Sequence, residues 1–229
     1  ELLDEAAADI LAKMPQPFNL EAVTDAYPTM YEESMNTVLQ QECIRYNKLI
    51  EQVLKSLADV RKALKGEVVM TSELEEMGTS LFNNQVPEMW SKVAMPSLKP
   101  LATWVPDLCA RLAFLQTWID NGVPVAYWVS GFFFPQAFLT GTMQNHARKY
   151  QLPIDTITYG YGMNDEPLES VTEPPNDGAY VWGLFIEGAR WDASKQLLQR
   201  AMDSEGTPSS SGESPKKSGG GFMGLFGKK

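Results

Sequence analysis

Between Glu33 and Leu64 the residues Leu39, Cys43, Tyr46, Ile50, Val53, Leu57, Val60 and Leu64 recur at alternating steps of four and three. Side chains at those steps share one face of an α-helix, so the spacing predicts one long amphipathic helix. Lys65-Gly66 supplies a cationic last turn and a glycine stop, while Glu42, Lys48, Glu51, Lys55, Asp59 and Arg61 decorate the other face. A stripe of that length must be covered by something apolar. A coiled-coil partner would use it too, but packing within the protein itself is preferred, because the repeat ends after about four heptads and further apolar helices follow.

Those helices have readable limits. Thr71-Ser72-Glu73-Leu74-Glu75 opens a second helix, with Ser72 as candidate cap and Glu73 and Glu75 in its positive first turn, fading by Asn83-Asn84. Pro87 begins a short helical piece holding Met89 and Trp90, and Pro96 to Pro100 imposes an extended connection. Trp104, Leu108, Leu112, Leu115 and Trp118 return to helical spacing over Leu101–Ile119, and Asn121-Gly122 ends that helix.

The uncharged window from Asn121 to Ala147 is long enough to be tested as a membrane span. Pro124, Ser130, Gly131, Pro135 and Gln136 interrupt it, which favours a buried strand or turn leading into a buried helix. Val123–Val129 reads as the strand, and Pro135 suits the first turn of a helix whose face includes Phe138, Leu139, Thr142, Met143, Ala147 and Tyr150. Phe132, Phe133 and Phe134 are consecutive and cannot all share one face of a regular element, so at least two different neighbours must cover them, as contact between two subdomains would do. After Pro153, Ile154–Tyr159 favours a strand, and the Pro174–Gly178 turn precedes a second one over Ala179–Glu187. From about Asp203 the sequence is rich in Ser, Gly, Pro and Lys and is expected to be disordered, including the final GFMGLFGKK, which is too short to form a stable helix at a membrane surface.

Several chemistries are disfavoured by the same reading. A net charge of −10 repels phosphate backbones, so nucleic acid is not an expected partner. Cys43 and Cys109 lie inside apolar helical patterns and read as free thiols in a reducing compartment. The acidic amino end lacks the basic-then-apolar order of a signal peptide and reads as a chain entered in mid-domain. The sequence holds no glycine-rich phosphate loop ending in Gly-Lys-Ser/Thr. The single histidine, His146, stands beside Asn145, Arg148 and Lys149 and favours surface or helix-packing duty over catalysis or metal binding. Ser130 lacks the flanking glycines of a hydrolase elbow and reads as a cap or turn. Glu75-Glu76 and Asp165-Glu166 are adjacent pairs that point apart, and Arg190-Trp191-Asp192 reads as a local cation–π or ion-pair closure of a strand end. No catalytic constellation, cofactor site or metal site is proposed.

The stretches SMNTVLQQECIRYNKLI (34–50), LKGEVVMTSELEEM (64–77), VPEMW (86–90), PSLKPLATWVPDLCARLAFLQTWIDNG (96–122), WVSGFFFPQAFLTGTMQNHARKYQLPID (128–155) and DGAYVWGLFIEGARWD (177–192) closely resemble the C-terminal region of dynein heavy chains. GFFFPQAFLTG with QNHARKY resembles the axonemal members, with the single-headed inner-arm type the most similar. The resemblance implies an α+β fold, a mainly helical bundle followed by a partial antiparallel β region (an incomplete barrel), stacked on the AAA+ ring of a microtubule motor. It implies that residues 1–31 hold the end of the sixth AAA module and its linker, 32–152 form the helical part, 153–199 the partial β region and 200–229 a disordered tail. Family members continue past the GARWD motif with further strands, so strand edges here are expected to need covering.

On that resemblance the protein is expected to bind no cofactor itself, ATP being bound elsewhere in the parent motor, and to regulate or brace the ring without hydrolysing nucleotide. Expected partners are the AAA+ ring modules, other dynein subunits and, indirectly, microtubules, in the cytoplasmic cytoskeleton of a ciliary or flagellar axoneme; a membrane is not among them. The alternative is a stand-alone axonemal scaffold derived from the same module. The residues expected to make the core and ring-facing contacts are Tyr46, Ile50, Leu57, Trp104, Trp128, Phe132, Phe133, Phe134, Pro135 and Phe138.

Overall fold

In a computed structural model, residues 2–164, 167–183, 189–192, 197–200 and 222–228 are described. Their contacts sort the protein into two units: Glu1–Met30 with Asn36–Gly122, and Tyr31–Met35 with everything from Val123 onward.

The first unit is helical, with α1 (Leu2–Lys13), α2 (Leu20–Ala26), α3 (Ser34–Leu64), α4 (Ser72–Phe82), α5 (Glu88–Ser91) and α6 (Leu101–Asn121). The first two residues of α3 belong to the second unit. The periodicity of α3 becomes burial: Leu39, Cys43, Tyr46, Leu49, Ile50, Val53, Leu57 and Val60 are fully buried. Leu64, in the same stripe, is 40% exposed because it closes the last turn. Burying these side chains stabilises the unit by about 1.5–3 kcal/mol for each large aliphatic one.

Polar contacts set how the helices meet. Asn47 on α3 accepts from Phe18 N (2.7 Å) and donates to Phe18 O (2.8 Å), so a buried amide fixes the segment that precedes α2. Arg61 pairs with Asp4 of α1 at 2.6 Å, and the Tyr27 hydroxyl donates to Trp118 O at 2.8 Å. The buried Trp90 indole donates to Ser56 Oγ (2.8 Å) and stacks on Trp104 at 5.7 Å. Asn84, at φ 55°, offers its backbone O to Leu101 N and its side-chain Oδ1 to Ala102 N, so the end of α4 caps the start of α6. The cap of α4 is Thr71, whose hydroxyl accepts from Leu74 N, and not Ser72, which is the first helical residue.

The second unit holds β1 (Ala126–Trp128), α7 (Pro135–Tyr150), β2 (Thr158–Asn164), β3 (Ala179–Trp182), β4 (Ala189–Asp192), β5 (Leu197–Arg200) and β6 (Phe222–Lys228). One sheet has the order β1-β3-β6-β2; β4 and β5 form a separate antiparallel pair. The strand expected over Val123–Val129 shrinks to Ala126–Trp128, because Pro124 donates no backbone hydrogen bond and Val129–Gly131 turns into a 3-10 helix. Ile154–Thr156 likewise forms a 3-10 turn after Pro153, and the strand starts at Thr158.

The β region is not wholly antiparallel. β1 pairs with β3 in parallel, Tyr127 opposite Val181, since the intervening α7 returns the backbone in the same direction. At the end of the chain, Phe222–Lys228 lies antiparallel between β2 (Thr158 opposite Lys228) and β3 (Ala179 opposite Leu225). Unpaired backbone on both neighbouring strands is satisfied by accepting it. Residues 201–221, and the expected pair Asp165-Glu166, lie outside the described residues, as do the side chains of Arg190, Trp191 and Asp192.

Candidate functional site

The residues expected to make core and ring contacts fall into both units. In the first, Tyr46, Ile50 and Leu57 on α3 and Trp104 on α6 are buried. Burial pushes the Tyr46 hydroxyl well above its usual range, against the opposing pull of Arg111, so it stays neutral. Near it Asp107 accepts from Arg111 Nε at 2.7 Å and pairs with Lys99.

In the second unit, Phe132 and Phe138 are fully buried and stack at 4.9 Å, with Tyr127 4.8 Å from Phe138. Burial, helped by the Glu33 charge, pushes the Tyr127 hydroxyl upward as well. Phe133 is half-buried and Phe134 is 46% exposed, so the three consecutive rings grade from core to surface. Phe132 has an extended backbone and Phe134 is the N-cap of α7, which points successive rings differently. Pro135, half-buried, is the first residue of α7. Trp128 is half-buried and stacks on Trp182 at 5.3 Å with planes 10° apart. A Cβ on Gly131 would stand 2.6 Å from its ring and one on Gly183, at φ 71°, 2.5 Å, so both glycines are required for that indole to fit.

Reading from sequence missed a pocket of about 350 Å³ lined by Glu33, Tyr127, Asn145, His146, Lys149 and Asp177, with Val123–Val125, Pro174 and Pro175 as apolar walls. All of these belong to the second unit. Asn145 is its staple: Oδ1 accepts from Ser34 N (2.9 Å) and Nδ2 donates to Glu33 Oε1 (2.7 Å). Arg148 donates to Ser34 Oγ at 2.7 Å and lies 4.5 Å over the Tyr31 ring. On the next turn Lys149 donates to Asn176 O and to Asp177 Oδ1 (3.1 Å), and the Tyr150 hydroxyl donates to the same oxygen at 2.6 Å. The Tyr150 hydroxyl first, then Lys149, hold the Asp177 carboxyl below its ordinary value. This role leaves the Tyr150 ring 42% exposed, not on the buried face expected of it. His146 Nδ1 is buried, 3.7 Å from Asp177 Oδ1, and makes no hydrogen bond. The only sequence signal for the pocket was the Asn145–Tyr150 polar run opposite the Pro174–Gly178 turn, and nothing local pairs the two.

Among the described residues no group of three His, Cys, Asp or Glu side chains is placed to hold a metal ion, and no helix is long and apolar enough to cross a membrane. What the fold defines is a helical unit with a small mixed sheet, an α+β module whose described polar groups chiefly hold its elements together.

The family model for the C-terminal domain of dynein heavy chains matches residues 1–209, and the protein belongs to that family. It is 57% identical over 84% of its length to dynein axonemal heavy chain 1 of Rattus norvegicus. It is 55% identical over 88% to dynein axonemal heavy chain 3 of Mus musculus, and 50% identical over 86% to dynein axonemal heavy chain 12 of Mus musculus. It spans only 4%, 5% and 6% of those relatives. All three of these relatives are axonemal dynein heavy chains.

Proposed function

We propose that this protein serves as the non-catalytic C-terminal module of an axonemal dynein heavy chain, bracing and regulating the AAA+ ring of an ATP-driven motor for ciliary or flagellar movement. The observation that carries the reading is the match over residues 1–209. A physical property supports the bracing role: α3 is 31 residues long, about 46 Å at 1.5 Å per residue, and its stripe is fully buried from Leu39 to Val60. An element packed in that way moves as a unit, which is what transmitting or resisting displacement between ring modules requires. ATP is bound elsewhere in the parent motor, and this module supplies contacts, not chemistry. Its partners are the ring modules and, through the motor, other dynein subunits and the microtubule.

Phe134, exposed next to a buried aromatic cluster, is the residue we assign to the ring-facing surface. Phe134→Asp in an axonemal dynein motor that includes this module is expected to leave the module's melting temperature within about 2 °C, as exposed substitutions do. It is expected to change ATP turnover by the ring at least about twofold, roughly 0.4 kcal/mol in barrier. Unchanged turnover and an unchanged association of module with ring would overturn the bracing role.

A further inference from the structure

The pocket beneath α7 carries an inference that goes beyond the bracing role. Two carboxylates line it, Glu33 and Asp177, against one ammonium, Lys149. Lys149 is already committed to Asp177 and to Asn176 O. Glu33 has only neutral donors: its Oε1 accepts from Met35 N (2.8 Å) and from Asn145 Nδ2 (2.7 Å), and among the described residues no cation pairs with it. The lining therefore holds two carboxylates against a single lysine ammonium. In the same pocket the buried His146 Nδ1 has no hydrogen bond, although nearly every buried polar nitrogen in a protein has one.

We propose that this pocket receives the arginine side chain of a partner protein. The charge excess calls for a single positive charge and excludes phosphate and carboxylate ligands. The carboxylates come from separate elements, Glu33 ahead of α3 and Asp177 in the turn before β3, with the imidazole of His146 on α7 beside them. A guanidinium carries five N–H donors in a planar fork and can address several acceptors at once, whereas an ammonium acts as a compact point charge. The volume of about 350 Å³ lies at the lower end of the range for ligand pockets, suited to one long side chain. Val123–Val125, Pro174 and Pro175 give apolar walls against which the arginine stem packs, and Val123, 54% exposed, marks the mouth.

His146 is the single histidine of the protein, so its ring resonances report on the pocket without assignment by mutation. The protein is titrated with N-acetyl-arginine N-methylamide, which mimics an in-chain arginine, and with the lysine and norleucine analogues and free arginine. Saturable shifts of the His146 ring are expected for capped arginine, with weaker binding of capped lysine and none of norleucine. Glu33→Gln keeps the oxygen that accepts from Met35 N and Asn145 but removes the charge, and is expected to weaken binding about tenfold. Val123→Lys at the mouth is expected to weaken it severalfold and serves as the test if Glu33→Gln fails to fold. Absence of saturation, equal binding of norleucine, or folded variants that bind as tightly as the parent would overturn the proposal. Tighter binding of lysine or of free arginine would overturn its choice of ligand.

Discussion

Asn47 offers a severe test of how the first unit is held together. Its side chain makes two hydrogen bonds to the backbone of Phe18, and both residues are buried, 7% exposed each. In Asn47→Ala the Phe18 N–H and C=O lose their partners in a place where water has little access. Each buried group left unsatisfied costs about 1–3 kcal/mol, so the pair sums to about 2–6 kcal/mol. With a urea dependence of about 2 kcal/mol per molar, the unfolding midpoint is expected to fall by at least about 1 M. Near-ultraviolet circular dichroism during urea titration measures this, and amide exchange at Phe18 reports the same loss locally, as faster exchange in the variant. Gln116→Ala is the control: its amide also bonds a neighbour, Asp120 Oδ1 at 2.8 Å, but on the exposed face of α6, and it is expected to cost less than about 0.5 kcal/mol. A shift for Asn47→Ala no larger than that control would refute the view that this amide fixes the segment between α1 and α2.

Two other measurements bear on titratable groups. Burial pushes the Asp107 carboxyl up, but hydrogen bonds from Lys99 and Arg111 outweigh it and leave it below its ordinary 3.8, so its contribution to stability is present above that value and is lost as pH falls through the depressed one. Asp107→Asn is therefore expected to flatten the fall of urea midpoint with pH in the acid range, and an identical acid profile would count against the ion-pair assignment. Burial, then the Glu42 charge, pushes the Cys43 thiol up to about 12, while Cys109 is raised less and is half-buried. At pH 8 iodoacetamide is expected to label Cys109 at least about a hundredfold faster, Cys43 reacting only in urea, and comparable rates by peptide mass mapping would contradict that burial.

Much of the helical architecture was legible because its signals are local. The four-and-three spacing of Leu39 to Val60, the proline before Glu88 and the Asn121-Gly122 stop act within one or two turns, and α3, α5 and α6 begin or end within a few residues of those marks. Gly122 takes φ 95°, a conformation that favours glycine at a helix end. Where two neighbouring residues can do the same work the sequence is silent: Thr71 and Ser72 both carry a capping hydroxyl, and only the backbone angles at Thr71 decide between them. Of the residues expected to make core or ring-facing contacts, Tyr46, Ile50, Leu57, Trp104, Phe132 and Phe138 are buried and Phe134 is exposed, a division the sequence does not show because hydrophobicity says nothing of which of three equal rings faces outward.

By itself, then, the sequence determined the helices from α3 onward, their apolar faces and the family resemblance, all of which depend on residues near one another or on their linear order. Tertiary structure alone decided the parallel pairing of β1 with β3, the insertion of Phe222–Lys228 between β2 and β3, and the pocket that joins Glu33 to Asp177. A strand's partner is chosen by whichever unpaired backbone lies within reach after folding. A pocket is likewise a coincidence in space of residues more than a hundred positions apart, here drawn together by Asn145 and Lys149 on opposite ends of the same short run of α7.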